Sequence, residues 1–245
     1  MNLDNNIGVN KYKHIYVFGC SHSLNTNSID TACKSYSEII ADNLEIPYSN
    51  VYNYSINGSS NFENLYYLNC LNLELNFSHY MNDKHYNNYG EYLPTKLYDN
   101  SLIIFQLTYW YRNVLQHSIN KYHNEYELIP LSPYRKYEDD DITKFNEIYY
   151  KKLSNISFLQ RNSVIPIHYS LKGIKTERTN ISTLLISWDS ELEDIFEKYI
   201  PNELSNLQQK SIDNKWTCHS EMFNGDLHLS PNGNKQLAEY LLQFI

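Results

Sequence analysis

HIYVFGCSHS, residues His14 to Ser23, is a run of apolar and aromatic side chains that stops at Gly19 and releases a serine, Ser21, into the turn beyond it. A half-exposed strand would alternate polar and apolar positions. This run carries no polar residue between His14 and Gly19 other than the phenol of Tyr16, the pattern of a strand covered on both faces. The next periodic segment, Tyr36 to Leu44 (YSEIIADNL), repeats its apolar residues at helical spacing, so the chain begins strand, loop, helix.

The alternation continues along the sequence. VYNYS (Val51–Ser55) reads as a second strand closed by the turn signal Asn57-Gly58, and residues 61–76 place Leu65, Leu68, Leu71 and Leu73 on a second helix. LIIFQL (Leu102–Leu107) is a short apolar third strand, and STLLIS (Ser182–Ser187) a fourth. Helical spacing covers residues 142–162 and 191–200, while Pro166 and Gly173 interrupt residues 163–175 and leave their state open. Pro231 opens a last helix with Ser230 as its N-cap and Leu237, Leu241 and Leu242 facing inward. Strands alternating with helices predict a three-layer α/β/α fold with a mostly parallel, flavodoxin-like central sheet. The whole chain, 1–245, is expected to be a single domain, with residues 79–100 and 117–141 as loop insertions.

A formal charge of −8 predicts neither nucleic acid nor an anionic membrane as a partner. The polar beginning MNLDNNIGVNKYK lacks the apolar core of a signal peptide and no run approaches a membrane span, so a cytoplasmic location is expected. Cys20, Cys33, Cys70 and Cys218 are scattered, and the nine histidines show no ligand spacing, so neither a disulfide framework nor a metal site is expected. The acidic run 138–141 reads as solvated loop. Twenty-four tyrosines against seven glycines have two readings: a base-biased genome, or rings and amides displayed for a sugar surface.

In an open parallel sheet ligands bind at the carboxyl ends of the strands. Ser21 follows the first strand, Gly58 the second, and Gln106 to Tyr109 end the third. There the amide of Ser21 could face an oxyanion while its hydroxyl attacks, and the amide of Gly58 could add a second donor. A serine becomes a nucleophile when a histidine takes its proton and a carboxylate orients that histidine. GDLHLSPNGN (Gly225–Asn234) offers both, as Asp226 and His228.

Taken together these residues resemble the SGNH, or GDSL, hydrolase family. The first block, Gly-Asp-Ser-x-Ser, corresponds to Gly19-Cys20-Ser21-His22-Ser23 and implies that Ser21 is the nucleophile. NYSINGSSN is similar to the second block and gives Gly58 as the oxyanion glycine. DLHLSPNGNKQLAEYL is similar to the last, with His228 as general base and Asp226 two residues before it where the family has three. The third block, Gly-x-Asn-Asp, falls on Gln106, Leu107, Thr108 and Tyr109 and lacks its asparagine; Thr108 is the first substitute, then Gln106, then Asn113.

The resemblance implies a cofactor-free serine esterase that removes small acyl groups, acetyl above all, from a small-molecule or polysaccharide ester. Two alternatives stand beside it: an O-acyltransferase using the same site, and a non-catalytic carbohydrate-binding module derived from the fold. Tyr109, Trp110, Tyr111 and Arg112 form an aromatic group at the same edge, either a substrate platform with Trp110 at its centre or packing of the sheet edge.

Overall fold

The computed structural model describes residues 11–20, 23, 34–55, 59–75, 93–108, 113–120, 125–131, 137–152, 156–187, 229 and 231–245. Strand β1 (His14–Phe18) is flanked by β2 (Val51–Asn53) on one side and β3 (Ser101–Leu107) on the other, both parallel to it. The strand at the far side of β3 is β6 (Ile181–Ser187), also parallel, giving the order β2-β1-β3-β6. This is the order of a flavodoxin-like sheet, and the expected α/β architecture stands. The pairs Phe18–Phe105 and Phe105–Leu185 fix the register.

Both faces of the sheet are buried because both carry apolar side chains. On one face Tyr16, Phe18, Ile103, Phe105 and Leu185 pack with α2 (Asn61–Asn72) and α4 (Ile156–Glu177). On the other, Ile15, Val17, Leu102, Ile104 and Ile186 pack with α1 (Tyr36–Asn43) and α5 (Pro231–Leu241). Each fully buried side chain of this size is worth about 1.5–3 kcal/mol, which is why an uninterrupted apolar strand belongs in the middle layer.

The helices begin where sequence provides caps. Ser35 and Glu38 form a reciprocal capping box at α1, and Ser60 accepts the Glu63 amide at 3.1 Å to open α2. Pro231 occupies the first turn of α5, where its missing N–H costs nothing; Leu237 and Leu241 are buried and Leu242 is half-buried.

Two expectations are corrected and one stretch left open is resolved. Residues 117–141 are not simply loop: β4 (Asn113–Asn120) and β5 (Glu125–Leu131) form an antiparallel pair. The acidic run beyond them is exposed yet structured, since Asp139 accepts the amides of Asp141 at 2.8 Å and Ile142 at 3.1 Å and so caps α3 (Asp140–Lys152). Residues 163–175 are helical throughout: Pro166 is exposed within α4, while Val164, Ile167, Leu171 and Ile174 are buried against the sheet. Packing of that apolar face outweighs the hydrogen bond that proline removes. The expected helix over 191–200 and the N-cap residue Ser230 lie outside the described residues, as does 79–92 of the first loop insertion.

The tyrosines contribute to the core. Tyr52, Tyr16, Tyr54, Phe18 and Phe105 form a continuous series of rings with successive centroids 4.9, 6.3, 5.3 and 5.7 Å apart. The hydroxyls of Tyr16 and Tyr54 find main-chain partners, and that of Tyr52 lies 3.3 Å from His14 Nδ1. Tyr16 donates to Lys96 O at 2.9 Å and accepts from the Tyr98 amide at 3.0 Å, and Tyr54 donates to Pro94 O. Burial pushes the hydroxyls of Tyr16 and Tyr54 well above the ordinary tyrosine range.

Candidate active site

After β1 the chain crosses to β2 on one side, and after β2 it returns to β3 on the other, so the connection reverses between β1 and β3. The crevice at the carboxyl ends of two such strands is the binding position of an open α/β sheet. Here those ends are Gly19 and Cys20 on β1, and Gln106 to Thr108 on β3.

Gln106 braces this edge. Its side chain is fully buried; Oε1 accepts the Ser23 hydroxyl proton and Nε2 lies 3.5 Å from Cys20 Sγ. Alternation along β3 sends Ile104 to the α1 face, and Gln106, two residues on, follows it toward Tyr36 at the start of that helix. Ser23 has one proton and gives it to Gln106, so Tyr36 is the donor in the 2.8 Å contact between the Tyr36 and Ser23 hydroxyls. Burial drives the Tyr36 hydroxyl far above its usual value, which keeps it protonated for that purpose. The Ser23 carbonyl in turn accepts from Asn53 Nδ2 at 2.7 Å, tying the turn after β1 to the end of β2.

Gly19 has no room for a side chain. A Cβ there would stand 2.7 Å from Gln106 Oε1 and 2.8 Å from Ser23 Oγ. Its carbonyl accepts from Ser59 Oγ at 2.6 Å and from Asn64 Nδ2 at 3.2 Å, so the start of α2 is bonded to the end of β1.

Thr108 is bonded by α2 as well. Its amide donates to Asn61 Oδ1 at 2.7 Å and its carbonyl accepts from Asn61 Nδ2 at 3.1 Å. With the residue only 1% exposed, Oγ1 is left buried and without a hydrogen-bond partner among the described residues. Asn113 begins β4.

The last helix reaches the same edge. The amide of Tyr36, the first residue of α1, donates to Asn234 Oδ1 in the first turn of α5 at 3.0 Å. Leu229, two residues before that helix, is buried in the core it shares with α1. Ser21, Gly58, Tyr109, Trp110, Tyr111, Arg112, Asp226 and His228 lie outside the described residues.

Sequence reasoning singled out Gly19, Gln106 and Thr108 but passed over Ser23, Asn53, Ser59, Asn61, Asn64 and Asn234, whose side chains tie the edge together. The available signal was the cluster Ser59-Ser60-Asn61-x-x-Asn64, four small polar residues at a helix start directly after a strand and turn. Among the described residues no three His, Cys, Asp or Glu side chains are grouped to hold a metal ion, and no helix is long and apolar enough to cross a membrane.

Neither a protein-family model nor a curated protein matches the chain. Among solved structures, it is similar to a carbohydrate esterase whose active site displays divergent catalytic and non-catalytic binding functions: 12% identity, TM-score 0.43, covering 97% of this chain and 69% of that one. It is also similar to an acetyl xylan esterase from the rumen bacterium Butyrivibrio proteoclasticus: 12% identity, TM-score 0.42, covering 95% of this chain and 63% of that one.

Proposed function

We propose that this chain is a serine esterase of the SGNH type, which removes small acyl groups, acetyl above all, from a carbohydrate ester. The observation that carries this reading is the bonding of separate sequence blocks at one crevice. The residues flanking Ser21 are bonded to the residue after Gly58, through Ser59 to Gly19, and to β3, through Ser23 to Gln106. The segment that follows His228 is joined to the same assembly, since Asn234 receives the Tyr36 amide and Tyr36 donates to Ser23.

The chemistry follows from these positions. Ser21 Oγ attacks the ester carbonyl as His228 accepts its proton, with Asp226 orienting the imidazole. The tetrahedral oxyanion is received by the Ser21 and Gly58 amides and by the Thr108 hydroxyl. Collapse releases the sugar alcohol, which takes the proton from His228, and leaves the acyl group on Ser21. Water, deprotonated by His228, then frees the carboxylic acid and regenerates the serine. In this reading Gln106 holds the serine turn rather than the substrate, because its amide is engaged by Ser23 and Cys20. Trp110, two residues past Thr108, is assigned to the sugar face of the substrate.

The test is labelling with a fluorophosphonate probe together with hydrolysis of p-nitrophenyl acetate, with Ser21→Ala as control. Labelling and turnover that vanish in Ser21→Ala are expected. Wild-type protein that is not labelled, or a mutant that turns over equally well, overturns the reading; binding of acetylated polysaccharide without turnover would identify a binding module instead.

A further inference from the structure

We propose that Asn61 is the positioning residue of this site: its carboxamide holds the Thr108 backbone so that the Thr108 hydroxyl is presented to the developing oxyanion. The inference rests on the esterase reading above and adds how the edge works without a third-block asparagine.

Three observations on described residues carry it. First, both polar groups of the Thr108 main chain are taken by Asn61, at 2.7 Å for the amide and 3.1 Å for the carbonyl. A carboxamide bonded in this two-point manner holds the backbone on both sides of the Thr108 Cα, as the facing residue of a neighbouring strand would. It also means that the Thr108 amide is not available to a substrate, so only the hydroxyl can donate. Second, that hydroxyl is buried and unpartnered among the described residues. Buried polar atoms are almost always satisfied, so one that is not calls for an explanation, and for a hydroxyl at this strand end the proposed role is one. Third, the helix bearing Asn61 is itself locked to β1, because Ser59 and Asn64 both donate to Gly19 O. The strand leading to Ser21 and the residue bearing the donor are therefore referenced to one rigid helix start. Fixed donors placed where charge develops are the most effective kind, since nothing has to reorganise during the reaction.

The experiment measures kcat and KM for p-nitrophenyl acetate in Thr108→Val, Thr108→Ser, Asn61→Ala and the double variant Asn61→Ala/Thr108→Val, with Ser21→Ala as control. Thr108→Val is expected to lower kcat about 10²- to 10³-fold with KM changed less than about twofold, the mark of an interaction made in the transition state. Thr108→Ser keeps the hydroxyl and retains most of the rate. Asn61→Ala lowers kcat at least about tenfold through misplacement of the donor. In the double variant the loss equals that of Thr108→Val alone, because a holder has nothing to hold once the hydroxyl is gone. Losses that multiply, or an Asn61→Ala enzyme with unchanged kcat, overturn the proposal. Should Asn61→Ala not fold, Asn61→Asp serves in its place, since it keeps the acceptor for the Thr108 amide and loses the donor to the Thr108 carbonyl. If Ser21→Ala turns over as fast as wild type, the esterase reading falls and this proposal with it. If turnover depends on Ser21 but is indifferent to Asn61 and Thr108, the positioning role alone falls.

Discussion

Asn234 and Tyr36 stand 198 residues apart in sequence and are joined by a 3.0 Å hydrogen bond from the Tyr36 amide to Asn234 Oδ1. The first amides of a helix have no partner within it, so α1 relies on the last helix to satisfy one of them. Removing the acceptor in Asn234→Ala leaves a buried N–H unpaired, and unfolding in urea should show a loss of about 1–3 kcal/mol. Asn234→Asp retains an acceptor where two helix N-termini favour negative charge, and its loss should be smaller. Equal stability of Asn234→Ala and wild type would mean that the bond contributes nothing.

Gly19 is the tightest position of the edge. Adding a methyl in Gly19→Ala forces it within 2.7 Å of Gln106 Oε1 and 2.8 Å of Ser23 Oγ, two buried atoms already bonded to each other. Overpacking of this kind costs about 1–3 kcal/mol. The midpoint of thermal unfolding should fall and, on the esterase reading proposed above, fluorophosphonate labelling should slow. An unchanged midpoint would show that the Gln106 and Ser23 side chains yield freely.

Gly173 is the opposite case. It lies inside α4, and a Cβ built there meets nothing within 4 Å. Gly173→Ala should therefore raise stability by about 0.5–1 kcal/mol through the entropy of the unfolded chain and better helix propensity. The urea midpoint is the measurement, and a decrease would contradict the packing described for this helix.

The buried tyrosines set an alkaline limit. Burial raises the hydroxyls of Tyr16, Tyr36, Tyr54 and Tyr67, and for Tyr67 the nearby Glu63 adds to it. The folded state thus binds these protons more tightly than the unfolded chain, whose tyrosines ionise at about pH 10. Their contribution is complete below that pH and is lost as the pH rises above it. Stability should decline steeply above about pH 10, with tyrosinate absorbance and loss of circular dichroism rising together. Tyr36→Phe should make the decline shallower; tyrosinate that forms fully while the circular dichroism is still native would refute the assignment.

The central sheet was legible because its strands are short, apolar and separated by clear helical spacing; His14–Phe18 and Ser101–Leu107 fall within two residues of their expected bounds. The β4–β5 pair was missed because residues 121–124, Lys-Tyr-His-Asn, carry no glycine or proline to announce a hairpin turn. Within α4, Pro166 and Gly173 read as interruptions because propensity is local, whereas the burial of Val164, Ile167 and Leu171 that overrides it is not. At the edge, Gly19, Gln106 and Thr108 could be found from strand ends. Asn61 and Asn64 left only the signal of their serine-flanked cluster, and Asn53 and Asn234 left none, because in a chain so rich in asparagine a single one says nothing until its partners across the sheet are known.

The first turn of α2 measures out the edge like a ruler. Beyond the last ladder pairs of β1 and β3, the separation of their backbones is set by Ser59, Asn61 and Asn64, which grip Gly19 and Thr108 by main-chain atoms alone. Such a grip is blind to the side chains it holds. The chain can therefore exchange the residue at 108 in the course of evolution while the backbone that presents it stays in place.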